Sequence, residues 1–80
     1  MKRITVRYFA LFREQAGISE ETLELDVETA RDVFEQTRGR YGSSEPRGHC
    51  KVAINDELAQ WSSPVRDGDT VLLFPPVAGG

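Results

Sequence analysis

Eighty residues bound this chain to one small domain without room for a second core. A hydrophobic share of 39% and a charged share of 29% fit a soluble globular protein, and are too apolar for a disordered one. A net charge of −3, with the basic residues scattered, argues against nucleic acid as partner, because phosphate binding needs a basic face. Met1-Lys2-Arg3-Ile4 has charge but no apolar stretch behind it, so no signal peptide is expected, and nothing approaches a membrane span. One cysteine excludes an internal disulfide framework and fits a reducing cytoplasm.

Ile4, Val6 and Tyr8 alternate with Thr5, Arg7 and Phe9, the period of a half-buried strand. Ala10 to Gly17 is short and ends in glycine, so it reads as a turn or single helical turn. Leu23, Leu25 and Val27 alternate with Glu24 and Asp26 as a second strand. Thr29 opens a helix, with Asp32 three residues on as a weaker form of the capping box. Ala30, Val33, Phe34, Thr37 and Tyr41 form one helical face. Gly39 weakens the last turn, and Gly42 is the expected C′ residue.

Gly42 to His49 reads as a polar loop and Cys50 to Ile54 as a third strand. Asn55-Asp56 turns into a short fourth strand around Glu57 to Trp61. After Pro64 and Asp67-Gly68, Thr70 to Phe74 is a last strand whose continuous apolar run suits the middle of a sheet. The order β-β-α-β-β-β predicts an α+β fold resembling the ubiquitin-like β-grasp: about five mixed strands over one main helix. A right-handed crossover lets the first and last strands pair in parallel at its centre. The whole span 1–80 reads as one domain, with 74–80 protruding from it.

That tail, Phe74-Pro75-Pro76-Val77-Ala78-Gly79-Gly80, carries the functional signal. Pro75 and Pro76 fix φ and lack N–H groups, which ends a ladder and favours an extended exit. At roughly 3.1 Å per residue the tail reaches about 19 Å. Gly79 and Gly80 carry no Cβ, so a narrow enzyme channel can close around the terminal carboxylate. An α-carboxylate is an anion at neutral pH and a poor acyl donor, so transfer from Gly80 requires activation, with ATP-dependent adenylation the obvious route. Attack on the adenylate by an amine gives an isopeptide, and attack by sulfur gives a thiocarboxylate; the tail alone leaves both open.

Elsewhere the chain lacks the equipment of a stand-alone enzyme. No Ser/His/Asp set, glycine-rich phosphate loop or nucleotide motif is present. His49 is the only histidine, which excludes a multi-histidine metal site, and no bound cofactor is expected. Cys50 has no CxxC partner and reads as a small core hydrophobe. Glu20, Glu21, Glu24, Asp26 and Glu28 read as a solvated strand face rather than as paired catalytic carboxylates.

Val6-Arg7-Tyr8-Phe9-Ala10-Leu11-Phe12-Arg13-Glu14, Ala53-Ile54-Asn55 with Glu57-Leu58, and Asp67-Gly68-Asp69-Thr70-Val71 through Phe-Pro-Pro-Val to Gly-Gly resemble the small, sulfur-carrier subunit of molybdopterin synthase (the MoaD family). The resemblance spans essentially the whole chain. It implies adenylation of Gly80 by an E1-like adenylyltransferase at the expense of ATP, then conversion to a thiocarboxylate by a sulfurtransferase system. It further implies entry of the tail into the large synthase subunit, where sulfur passes to cyclic pyranopterin monophosphate. Phe9, Leu58 and Phe74 match partner-binding positions, and Pro75, Pro76, Val77 and Ala78 the stem. Ala78 stands where Ser or Thr is common, and Phe12 where the family is often aliphatic. Two other readings share the fold and the Gly-Gly ending: a thiamin-pathway sulfur carrier, and a protein modifier conjugated through Gly80. A plain interaction domain with an inert tail is a third.

Overall fold

A computed structural model describes residues 1–76. Its elements in chain order are β1 (Lys2–Tyr8), α1 (Leu11–Ala16), β2 (Glu20–Leu25), α2 (Ala30–Tyr41), a 3₁₀ turn (Arg47–His49), β3 (Lys51–Ile54), β4 (Glu57–Ala59) and β5 (Thr70–Phe74). The strands form one mixed sheet in the order β2-β1-β5-β3-β4. β1 runs parallel to β5 with Val6 opposite Val71 and Tyr8 opposite Leu73, and every other pairing is antiparallel. The expected parallel pairing of first and last strands is therefore present, with β5 at the centre.

Period-2 alternation decides which side chains reach the helix. Ile4, Val6 and Tyr8 of β1, Val52 of β3, and Val71 and Leu73 of β5 meet Ala30, Val33 and Phe34 of α2 in one core. Phe12 joins them and meets Phe34 edge-on at 6.0 Å, so the aromatic at this position is accommodated as core. Leu72 points to the opposite face yet is only 7% exposed, because Arg7 and Ala53 flank it on the neighbouring strands. The continuous apolar run of β5 thus has the two-sided burial its sequence predicts.

Helix α2 starts where its capping box requires. The Asp32 backbone N–H donates to Thr29 Oγ1 at 3.4 Å, and the N–H groups of Thr29 and Glu28 donate to Asp32 Oδ2 at 3.1 and 2.9 Å. These backbone donors hold the Asp32 carboxyl below its usual pKa. A depressed carboxyl contributes stability that is present above its unfolded value and lost as pH falls through its folded value. Asp32→Asn is therefore expected to cost about 1 kcal/mol near pH 7 and to become near-neutral in acid, as checked by denaturant unfolding at both pH values. Gly42 closes the helix with φ +70°, its N–H donating to Arg38 O at 2.8 Å.

Several boundaries move for local hydrogen-bonding reasons. The expected turn or single helical turn at residues 10–17 is helical over six residues and closed by Gly17 at φ +78°. Cys50 does not start β3, because its N–H closes the 3₁₀ turn onto Arg47 O. β4 stops at Ala59 rather than Trp61, since Gln60 and Ser63 form a turn in which Gln60 N–H donates to Ser63 Oγ at 3.0 Å. Trp61 packs instead edge-on against Phe34, 5.1 Å between centroids. Phe74 belongs to β5 rather than to the tail, which leaves the sheet at Pro75.

The turn before β5 is built by carboxylates that accept from backbone. Asp67 Oδ1 takes the Arg3 N–H at 2.6 Å, and Asp69 Oδ2 takes the Arg66 N–H at 2.8 Å. Asn55 bonds the Asp69 carboxylate through its amide nitrogen and the Thr70 N–H through its amide oxygen, both at 2.9 Å. Asp67-Gly68-Asp69 is thus a turn that fixes the start of β5, as its sequence suggests.

Candidate functional site: an apolar sheet face at the root of the tail

Side chains of β1, β5, β3 and β4 that point away from α2 form the open face of the sheet. One row across it runs Arg7, Leu72, Ala53, Leu58, each opposite the next on the adjacent strand. With about 4.8 Å between strands, Leu58 stands roughly 10 Å from Leu72. Leu58 is 83% exposed, an unusual state for a leucine in a strand. A second row is aromatic: the rings of Phe9 and Phe74 stack with centroids 4.7 Å apart and planes 19° apart. The Arg7 guanidinium lies 5.5 Å from the centre of the Phe9 ring.

Phe9, Leu58 and Phe74, named from sequence as partner-binding, therefore share one face of the sheet. All three lie outside the helix-facing core. Leu72 and Ala53 complete the strip. The sequence pattern marks them only as strand interior, although their parity with Phe74 and Leu58 places them on this face. Beside the Phe9–Phe74 stack opens a concavity of about 690 Å³ whose wall includes Leu11, Glu45, Pro75 and Pro76. The tail thus leaves the sheet at the edge of the apolar strip. Val77, Ala78, Gly79 and Gly80 lie outside the described residues.

Ala10 shapes this corner. It has φ 49° and ψ −121°, and the Phe12 N–H donates to Phe9 O at 3.0 Å, the geometry of a type II′ turn at its first central residue. Glycine normally takes that position, so alanine there carries backbone strain. The turn places the half-exposed Leu11 beside Phe9. Nothing in an alanine signals such a turn from sequence.

Cys50 is 3% exposed, its thiol donates to Pro46 O at 3.4 Å, and burial pushes its pKa up, which keeps it protonated at neutral pH. Such a thiol is a core side chain. Cys50→Ser is expected to keep the fold at a stability cost of about 1 kcal/mol. Melting of the two chains side by side checks it, and a much larger loss would give the thiol more than a packing role.

Glu21 departs from the solvated-face reading. Its side chain is 14% exposed and accepts from Tyr8 Oη at 2.6 Å and from Tyr41 Oη, with Arg40 Nε at 3.8 Å. Burial first, and then the Glu21 carboxylate, hold the Tyr8 phenol protonated far above its usual range. Glu20 and Glu24 are exposed, as expected. Among the described residues no cluster of three metal-ligating side chains occurs, and no helix is long and apolar enough to cross a membrane.

A mixed five-stranded sheet over one helix, with an apolar open face and a double-proline exit from its central strand, defines a ubiquitin-like β-grasp protein. The ThiS family model matches residues 6–80. The chain is 38% identical to the molybdopterin synthase sulfur carrier subunit of Haemophilus influenzae, over 96% of this chain and 99% of that one. Its fold is similar to that of a putative molybdopterin converting factor, subunit 1, from Pyrococcus furiosus, at TM-score 0.81 and 32% identity, covering 96% and 100% of the two chains. It is also similar, at TM-score 0.65 and 28% identity, to a chain in the complex of subunits 1 and 2 of the Helicobacter pylori molybdopterin-converting factor, covering 98% and 99%. The chain belongs to the ThiS family, and its resemblance to molybdopterin synthase sulfur carrier subunits is borne out over its length.

Proposed function

We propose that this protein is the sulfur carrier of a molybdopterin synthase, with Gly80 as its loading site. The carboxylate of Gly80 attacks ATP on an E1-like adenylyltransferase, giving an acyl adenylate and pyrophosphate. A sulfur nucleophile from a sulfurtransferase system then displaces AMP and leaves a thiocarboxylate. A persulfide donor would also need a thiol to reduce the resulting acyl disulfide. In the large synthase subunit the thiocarboxylate sulfur attacks a side-chain carbon of cyclic pyranopterin monophosphate, and a carbon–oxygen bond there breaks, the oxygen leaving as water or on phosphate. Water then cleaves the acyl–sulfur bond, leaving sulfur on the pterin and returning a carboxylate. The carrier's own residues dock and aim: the activating and receiving chemistry belongs to the partners.

The observation that carries this reading is the stacked Phe9–Phe74 pair at the point where Pro75-Pro76 leaves β5. A docked partner would cover the apolar strip and receive the tail in one movement, so binding energy at the face becomes alignment at the tip. The name of the Haemophilus influenzae relative and the two-subunit complex from Helicobacter pylori support the pterin pathway and a large-subunit partner.

Incubation with ATP, the adenylyltransferase and a sulfur donor tests it. Intact mass should rise by the difference between sulfur and oxygen, and the charged carrier should yield molybdopterin with the large subunit. Sulfur loading followed by transfer only to a thiazole precursor would assign the thiamin pathway. Addition of a whole protein mass through Gly80, without sulfur, would assign a modifier.

A further inference from the structure

We propose that the free edge of β2 and the groove between β2 and α2 form a second docking site, for an extended peptide in which basic and aliphatic residues alternate. β2 is an outer strand of the sheet, paired on one side only. The Tyr8 N–H donates to Ser19 O, which directs Ile4, Val6 and Tyr8 of β1 toward β2. The Thr5 N–H donates to Asp69 O, so the odd-numbered residues of β1 face β5. By the antiparallel alternation, the backbone groups of Glu20, Thr22 and Glu24 then point outward, with no strand beyond them among the described residues. Such an edge is a template for strand addition.

The two sides of an added strand would meet different surfaces. On the helix side lies a groove of about 470 Å³, whose floor is Leu23, Leu25 and Gly39 and whose rim is Glu35, Gln36 and Arg40. Both leucines are only partly buried, and a Cβ built on Gly39 would meet nothing within 4 Å. The groove is therefore open and apolar at its base, sized for aliphatic side chains two residues apart. On the open side stand Glu20 and Glu24, more than half exposed, at 3.7 and 3.6 Å from Arg7 and Arg3. Ion pairs so exposed hold their partners weakly. Their carboxylates remain available to lysine or arginine on an incoming strand.

Charge also excludes a second copy as occupant. Two β2 strands paired antiparallel about Thr22 would set Glu20 of one against Glu24 of the other, a repulsive cross-strand arrangement. A basic–aliphatic peptide reverses both signs, and the net charge of −3 favours its approach. The edge of β2 is separated from β5 by β1. Occupancy of that edge therefore leaves the Phe9–Phe74 pair uncovered, and the inference stands apart from the proposed sulfur chemistry.

The test is a titration of the full chain with a short capped peptide in which lysine alternates with isoleucine, followed by amide NMR and hydrogen exchange. Binding should slow exchange at Glu20, Thr22 and Glu24 and leave Phe9 and Phe74 unmoved. Gly39→Arg, whose Cβ would meet nothing within 4 Å, places a long side chain at the groove and raises helix propensity, and should weaken binding about tenfold or more at an unreduced melting temperature. Glutamate in place of lysine in the peptide should abolish binding. Shifts centred on Phe9, Leu72 and Phe74, affinity unaffected by Gly39→Arg, self-association through β2, or no binding at all would each overturn the proposal.

Discussion

A chain ending at Gly79, or one extended beyond Gly80, is expected to lose sulfur loading completely while melting at the temperature of the parent. Every reactive step of the proposed cycle falls on one carboxylate, and no described side chain can replace it. Cys50 is buried and protonated, and His49 has no catalytic partner in the sequence. Shortening moves the carboxylate by one residue, about 3 Å along an extended tail, enough to take it out of line with an activating phosphate. Misplacement of a reacting atom by that distance costs orders of magnitude in rate. Extension replaces the carboxylate by an amide that cannot be adenylated. The fold should be indifferent, because the core is closed by strands and helix that end at Phe74. Thiocarboxylate formation on the Gly79-terminated chain, read by intact mass, would sink the assignment of Gly80.

Phe74→Ala is the second large effect. It should weaken binding to the large synthase subunit by about 2 kcal/mol or more, the scale of an aromatic hot spot. The structure adds a mechanism. Phe74 is half-buried and stacks on Phe9, so its removal deletes one ring from the proposed docking face and leaves the other without support. It also loosens the residue from which Pro75-Pro76 departs. Phe74 lies outside the core cluster, so its stability cost should be confined to the lost ring pair, about 1 kcal/mol. Affinity and melting temperature measured on the same variant separate the two. A collapse of the melt with unchanged affinity of the folded fraction would return Phe74 to the core. Phe9→Ala should reproduce the loss, and the double variant should lose less than the sum, because each ring is half of one stack.

Much of the fold is legible in local pattern because the forces that make it are local. The alternation of Ile4, Val6 and Tyr8, the Thr29–Asp32 capping box, the helical face from Ala30 to Tyr41 and the Gly42 stop are all present as read. Strand limits at Cys50 and Trp61 shift because backbone donors found nearer acceptors in turns, a competition that residue type alone does not decide. Glu21 shows the limit of reading charge as exposure. Its parity with Leu23 and Leu25 placed it on the helix side of β2, but its carboxylate is held there only because Tyr8 and Tyr41 arrive with their hydroxyls.

The sequence by itself determined the chemistry proposed for this protein: a Gly-Gly carboxylate on a double-proline stem, in a chain without other catalytic groups. Those features depend on residue type and order, which covalent structure carries in full. The proposed docking face was decided only by tertiary structure. Arg7, Leu72, Ala53 and Leu58 come from four different strands, with Phe9 just past the end of β1, and no local preference brings them together. Parallel pairing of β1 with β5 and antiparallel pairing of β3 with β5 and β4 set their register. That register is fixed by the opposite side of the sheet, where a slip of one residue would expose Val6, Val71 and Val52 and turn side chains such as Arg7 and Lys51 toward α2. The core packing against α2 thus selects the surface offered to a partner.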